Sequence, residues 1–175
     1  MKSVSPLAVQ ERRELFKAAA AVPQQLAKLV AELSQQQITQ RITGIEFSLQ
    51  EQIWHLADLE TRGFAKRLRL LLEQDDPQLE DFNGTQAAAE RNYLSLSLRQ
   101  GLRTFADTRL LNLWVLSGVS GDDWLRHGML EGIGHVTLAD VFRSMVQHDQ
   151  VHLDEINTLL TSGELEHVSP AFVAA

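Results

Sequence analysis

Between residues 138 and 160 the apolar side chains recur at helical spacing. Leu138, Val141, Phe142, Met145, Ile156, Leu159 and Leu160 fall on one face when successive residues are turned by about 100°. A stripe of that length has to be covered by other elements, because an isolated helix leaves it in water. Thr137 precedes it as an N-cap, Asp140 sits in the first turn where a carboxylate favours the helix dipole, and Ser162-Gly163 is the expected stop. Two polar residues lie inside the stripe: His148 and His152, one turn apart.

Three further helices follow from the same reading. The first spans residues 7–33, with a kink or break expected near Val22 because Pro23 follows it. The second spans residues 48–73. It opens on Ser48 and Glu51, which have the spacing of a capping box, and it ends before Asp75-Asp76-Pro77. After a loop with Pro77, Asn83 and Gly84, a third helix is expected over residues 86–116, with Gly101 marking a bend or a close contact. Residues 117–136 hold Gly118, Gly121, Gly128, Gly132 and Gly134. They read as a long connection with one helical turn around Asp122-Asp123-Trp124. No alternating strand pattern is apparent. The expectation is therefore one all-α domain over residues 1–175: a four-helix bundle with a long connection before the last helix and a tail at 164–175.

The composition limits the function classes. A net charge of −7 without any cluster of Lys and Arg argues against nucleic acid. The absence of cysteine excludes disulfides, zinc–thiolate sites and a cysteine nucleophile. No apolar run approaches the ~18 residues of a membrane span, and the first residues lack the apolar core of a signal peptide. A soluble cytoplasmic protein acting on a small molecule, without membrane or nucleic-acid partners, is the expectation.

The chemistry centres on histidine. Residues at i and i+4 lie above one another on a helix, so His148 and His152 converge toward the bundle interior. Each buried imidazole nitrogen needs a partner, and a shared divalent metal supplies one to both rings. His55, at the edge of the apolar face of the second helix, is a third candidate ligand. Three histidines leave coordination positions open, as in catalytic metal sites. Core histidines bonded to backbone or carboxylates are the structural alternative.

Asp149 and Asp58 are candidates to accept the second ring N–H of a ligand histidine, and Asp149 is also a candidate fourth ligand. For Asp58 an ion pair with Arg62 is the competing role. His127, His135 and His167 are expected in solvent. Trp54, Trp114 and Trp124 are expected in the core or an interface, and Arg109 and Arg126 in surface pairs rather than on an anionic substrate. The zincin pattern H-E-x-x-H fails because Asp149 stands at the glutamate position. The paired E-x-x-H motifs of di-iron bundles are likewise missing.

Three stretches together resemble the DinB-like (YfiT) superfamily: Ser48-Leu-Gln-Glu-Gln-Ile-Trp-His-Leu-Ala-Asp-Leu-Glu60, Gly134-His-Val-Thr-Leu-Ala-Asp140 and His148-Asp-Gln-Val-His-Leu-Asp-Glu-Ile156. The resemblance runs from the first helix to the end of the fourth, and is loosest in the loops and third helix. It implies a four-helix bundle with an unusual crossover order and a bound ion, zinc or nickel first, held by His55, His148 and His152. It also implies chemistry of the kind found in relatives: S-transfer or isomerisation with a low-molecular-weight thiol such as bacillithiol or mycothiol, or metal-dependent hydrolysis. For hydrolysis, Asp149 or Glu51 is the candidate base. A metal-binding module without catalysis, as a homodimer, is the third expectation.

Overall fold

A computed structural model describes residues 7–166 and, within them, side chains up to residue 161. Helix α1 (Val9–Val30) is followed by the short α2 (Gln35–Thr39), which the sequence reading did not anticipate. Pro23 does not break α1, which is continuous across it. A proline lacks the N–H that would reach the carbonyl four residues back. That carbonyl, on Ala19, instead accepts from Arg109 Nη1 at 3.1 Å. A side chain from another helix thus replaces the missing backbone donor.

The second long helix starts as expected. Ser48 and Glu51 form both halves of the capping box that opens α3 (Leu49–Asp58). The chain then widens into a π-helical turn (Leu59–Phe64) and continues as α4 (Ala65–Glu73). The Thr61 hydroxyl bonds back to the carbonyls of Ala57 and Asp58 at 2.7 and 3.2 Å, competing with the local backbone ladder. Arg126 closes the far end, donating to the carbonyls of Leu71 and Gln74.

The expected helix over 86–116 is two helices. In α5 (Gly84–Arg91) the chain stops at Asn92, whose φ of 47° is left-handed. A 3₁₀ turn (Tyr93–Ser95) leads to α6 (Leu98–Ser117). Gly101 does make a close contact: a Cβ there would lie 3.1 Å from both Ile53 Cγ2 and Trp54 Cε2. The long connection holds the expected helical turn (Gly121–Leu125) and, unanticipated, a hairpin of β2 (His127–Leu130) and β3 (Gly134–Thr137). β2 also pairs in parallel with β1 (Gln78–Leu79), in register Gln78↔Met129, giving sheet order β1-β2-β3. Helix α7 (Leu138–Glu166) opens with Thr137 and Asp140 bonded reciprocally and passes through the expected stop at Ser162-Gly163. The expected tail at 164–175 thus begins as helix up to Glu166, and its remainder, His167 included, lies outside the described residues.

The contacts fix the helix directions. Gly101 meets Ile53 and Arg109 meets Glu60, so α6 runs parallel to α3. Arg143 meets Glu11, while Arg109 joins Ala19 to Asp149, so α1 runs parallel to α7. Gln52 meets His152 while His55 meets His148, so α7 opposes α3. The order is up-down-down-up, and α6 and α7 sit across a diagonal. Joining parallel α3/α4 to α6 requires a return strap along the bundle. That strap carries β1 and α5 past His55, so the crossover itself builds one side of the site. Among the described residues, no helix is long and apolar enough to cross a membrane.

Candidate metal centre

Helix α3 is buried over its whole length, polar residues included. Its outer face is paired rather than solvated. Gln50 Nε2 donates to the carbonyls of Tyr93, Leu94 and Leu96 at 2.8–3.0 Å. Asp58 accepts from Arg91 and from the Tyr93 hydroxyl at 2.7 Å, and lies 3.8 Å from Arg62. That burial places His55 in the interior, opposite the His148/His152 step of α7.

The three imidazoles meet. His148 Nε2 is 3.3 Å from His55 Nε2 and 3.2 Å from His152 Nε2, and one ligand nitrogen of each ring lies within 4.8 Å of the others. His55 and His152 are buried and His148 is half-buried. Burial lowers the basicity of all three: His148 and His152 are pushed down to about 3, with the neighbouring rings adding to the effect. Neutral imidazoles are acceptors at the unprotonated nitrogen. One shared proton cannot satisfy three converging nitrogens. A tetrahedral ion with N ligands at ~2.0–2.1 Å holds those nitrogens about 3.4 Å apart. The two separations from His148, 3.3 and 3.2 Å, are close to that spacing, so the residues fit a divalent ion.

Packing and hydrogen bonding orient the rings unequally. His55 sits between Phe47 and Phe82, with ring centroids 5.5 and 5.9 Å away. A Cβ on Gly84 would lie 2.3 Å from His55 Cε1, so the strap reaches this close only with glycine there. Phe64 meets His148 edge-on at 6.3 Å. Among the described residues, His55 Nδ1 and His148 Nδ1 have no hydrogen-bond partner. His152 Nδ1 faces Gln52 Oε1 and lies 3.2 Å from Glu155 Oε2.

The two aspartates expected beside the histidines are engaged elsewhere. Asp149 forms a two-pronged pair with Arg109 at 2.6 and 2.9 Å. Asp58 holds Arg91 and Tyr93; only its charge acts on His55. No ring nitrogen of the triad is bonded to either. Asp149 is drawn to Arg109 on α6 and Asp58 to Arg91 and Tyr93 on the strap, so neither carboxylate is turned onto a ring nitrogen. Glu51 is likewise committed to Ser48 and Arg41. The partners that are present, Gln52 and Glu155, stand three residues before His55 and three after His152. That i, i+3 spacing was the available signal.

Arg109 is not a surface residue. It is 1% exposed and uses all five N–H donors: two on Glu60, two on Asp149 and one on Ala19 O. Asn112 adds a bond to Glu60 at 2.7 Å. Burial pushes the Asp149 carboxyl up to about 6 against the pull of Arg109. His127 and His135 are exposed, as expected, 6.0 Å apart on the hairpin. Trp54 and Trp124 are core, whereas Trp114 is 74% exposed. A cleft of about 750 Å³ lies between the π turn and the strap; none of the three histidines lines it, and Phe82, which packs on His55, is its link to the triad.

The DinB superfamily model matches residues 18–156 of the chain. The fold is similar to that of a solved Bacillus subtilis structure, YfiT, described as a probable metal-dependent hydrolase with an unusual four-helix bundle topology. The TM-score is 0.85, with 14% identity over 94% of each chain. No curated protein sequence matches this one.

Proposed function

The chain belongs to the DinB superfamily, and from that premise we propose that it is a metal-dependent enzyme acting on a small electrophile with the help of a low-molecular-weight thiol. The observation that carries this reading is the convergence of three buried imidazole nitrogens at metal-ligand spacing. His55, His148 and His152 hold the ion, leaving positions for exogenous ligands. A divalent ion bound there favours the thiolate form of a coordinating thiol at neutral pH. Phe47, Phe64 and Phe82 keep the rings dry and fixed. The cleft that shares Phe82 with the packing of His55 is where a small substrate would enter, lined by Arg62, Arg69 and Glu90 and by the paired Lys66 and Glu80.

Transfer is favoured over hydrolysis because the expected bases are occupied. Asp149 is bound to Arg109 and Glu51 to Arg41 and Ser48. A thiol activated by the ion needs no further base. A hydrolase is the second reading. It rests on Glu46, an exposed carboxylate whose charge acts on His55 and whose Oε1 accepts from Thr85 at 2.9 Å. Elemental analysis of the purified protein beside a triple His→Ala variant tests the ion, and full metal retention in that variant overturns the site. Zinc- or nickel-loaded protein is then given bacillithiol, mycothiol or glutathione with a model electrophile. Metal-dependent consumption supports transfer; none with any thiol overturns it. Turnover of an ester or amide without thiol supports Glu46-assisted hydrolysis.

A further inference from the structure

The three histidines are not held alike. Two have a bare Nδ1, while the third faces a built polar pair, Gln52 and Glu155. The Gln52 side chain is fully buried, and its Nε2 donates to Glu155 Oε2 at 2.6 Å. A carboxylate only accepts, so the amide nitrogen of Gln52 has to face it. The amide oxygen is thereby turned onto His152 Nδ1. Both groups within reach of that nitrogen, Gln52 Oε1 and Glu155 Oε2, are acceptors. The proton of a neutral His152 ring therefore belongs on Nδ1, and Nε2 carries the lone pair facing His148 and the centre of the triad. With the amide turned round, its NH₂ would face Nδ1 and force the proton onto Nε2, where it blocks a metal.

We propose that Gln52, oriented by the charge of Glu155, is the positioning residue that fixes the His152 tautomer and aims its Nε2 at the ion. This rests on the metal reading above only for its consequence; the tautomer itself is a property of the metal-free chain. Side chains behind metal-ligating histidines typically contribute 10–100-fold in affinity.

Two measurements test it on the full-length protein: two-bond ¹H–¹⁵N spectra of metal-free protein, which report the tautomer of each histidine, and zinc affinity by competition with a chelator. Wild type is expected to show His152 protonated on Nδ1. Gln52→Leu, which keeps the volume and removes the acceptor, is expected to mix the tautomers and weaken zinc roughly 10–100-fold. Glu155→Leu leaves Gln52 in place but frees its amide to turn, and is expected to act in the same direction. The exchange Gln52→Glu with Glu155→Gln keeps an acceptor against Nδ1 and a donor behind it, and is expected to restore both signals. A thermal melt separates loss of folding from loss of orientation. An Nε2–H tautomer in metal-free wild type overturns the proposal. So does a folded Gln52→Leu that keeps the Nδ1–H tautomer and affinity within about threefold of wild type. If wild type binds neither zinc nor nickel, the metal reading fails, and the tautomer spectra alone decide the role of Gln52.

Discussion

His148 and Asp149 are consecutive residues that serve opposite kinds of polar cluster. Asp149, Arg109 and Glu60 are almost fully buried, and every donor of the guanidinium has an acceptor. His55 and His152 are buried and His148 half-buried, yet the Nε2 of His148 faces those of the other two, and the Nδ1 atoms of His55 and His148 have no hydrogen-bond partner among the described residues. The first cluster is complete without a ligand. It joins α1, the π turn, α6 and α7, and even supplies the bond that Pro23 denies to Ala19. The second is complete only when something positive occupies its centre. Burial alone does not mark a functional site; burial with uncompensated acceptors does.

The contrast breaks most sharply at Arg109. Arg109→Met leaves Glu60 and Asp149 buried without their cation, and is expected to cost about 3–5 kcal/mol in denaturant unfolding of metal-free protein. A loss below about 1 kcal/mol would make the two clusters energetically alike and refute the distinction. The triad should behave in the opposite way, depending on ligand. Zinc at about 100 times its Kd should stabilise wild type by ~2.7 kcal/mol, seen as a rise in Tm that is absent in the triple His→Ala variant. An equal rise in that variant would place the ion elsewhere.

Gly84→Ala probes how tightly the strap seats His55. The added Cβ would fall 2.3 Å from His55 Cε1, so a loss of about 2 kcal/mol is expected, together with weaker zinc binding. Unchanged affinity would show that the strap does not hold the ring. The smallest effect concerns Glu51, another satisfied polar group on the same helix. Burial raises its pKa, but hydrogen bonds from Arg41 and Ser48 outweigh burial and leave it below 4.5. Its stabilisation is therefore present above that value and is lost as the pH falls through the lower folded value. Glu51→Gln is expected to cost about 1 kcal/mol near neutral pH, with the gap to wild type closing in acid. A gap independent of pH would remove the charge from the cap.

The histidine pair was legible because its information is local. A spacing of four inside an apolar stripe fixes direction once the helix is assigned, and His55 followed from the same periodicity. Arg109 carried a comparable signal that polarity concealed: Gly101, Phe105, Arg109, Asn112 and Leu116 form one buried stripe of α6. A cation there reads as solvated until its two carboxylates are located, 40 and 49 residues away along the chain. The hairpin at 127–137 escaped because its strands are four residues long and its first partner, β1, lies some fifty residues earlier. The break at Asn92 likewise depends on Gln50, which takes up the carbonyls of Tyr93, Leu94 and Leu96.

By itself the sequence determined the amphipathic helices, the caps at Ser48 and Thr137, and the face that His148 and His152 share, because each depends on neighbours within a turn or two. Tertiary structure decided which helices run parallel, that a return strap brings Gly84 against His55, and that Gln52 and Glu155, rather than Asp149 or Asp58, stand behind a histidine. Those outcomes depend on which side of a helix meets another chain segment. Hydrogen bonds between residues as far apart as Gln52 and His152, 100 positions away in sequence, settle them.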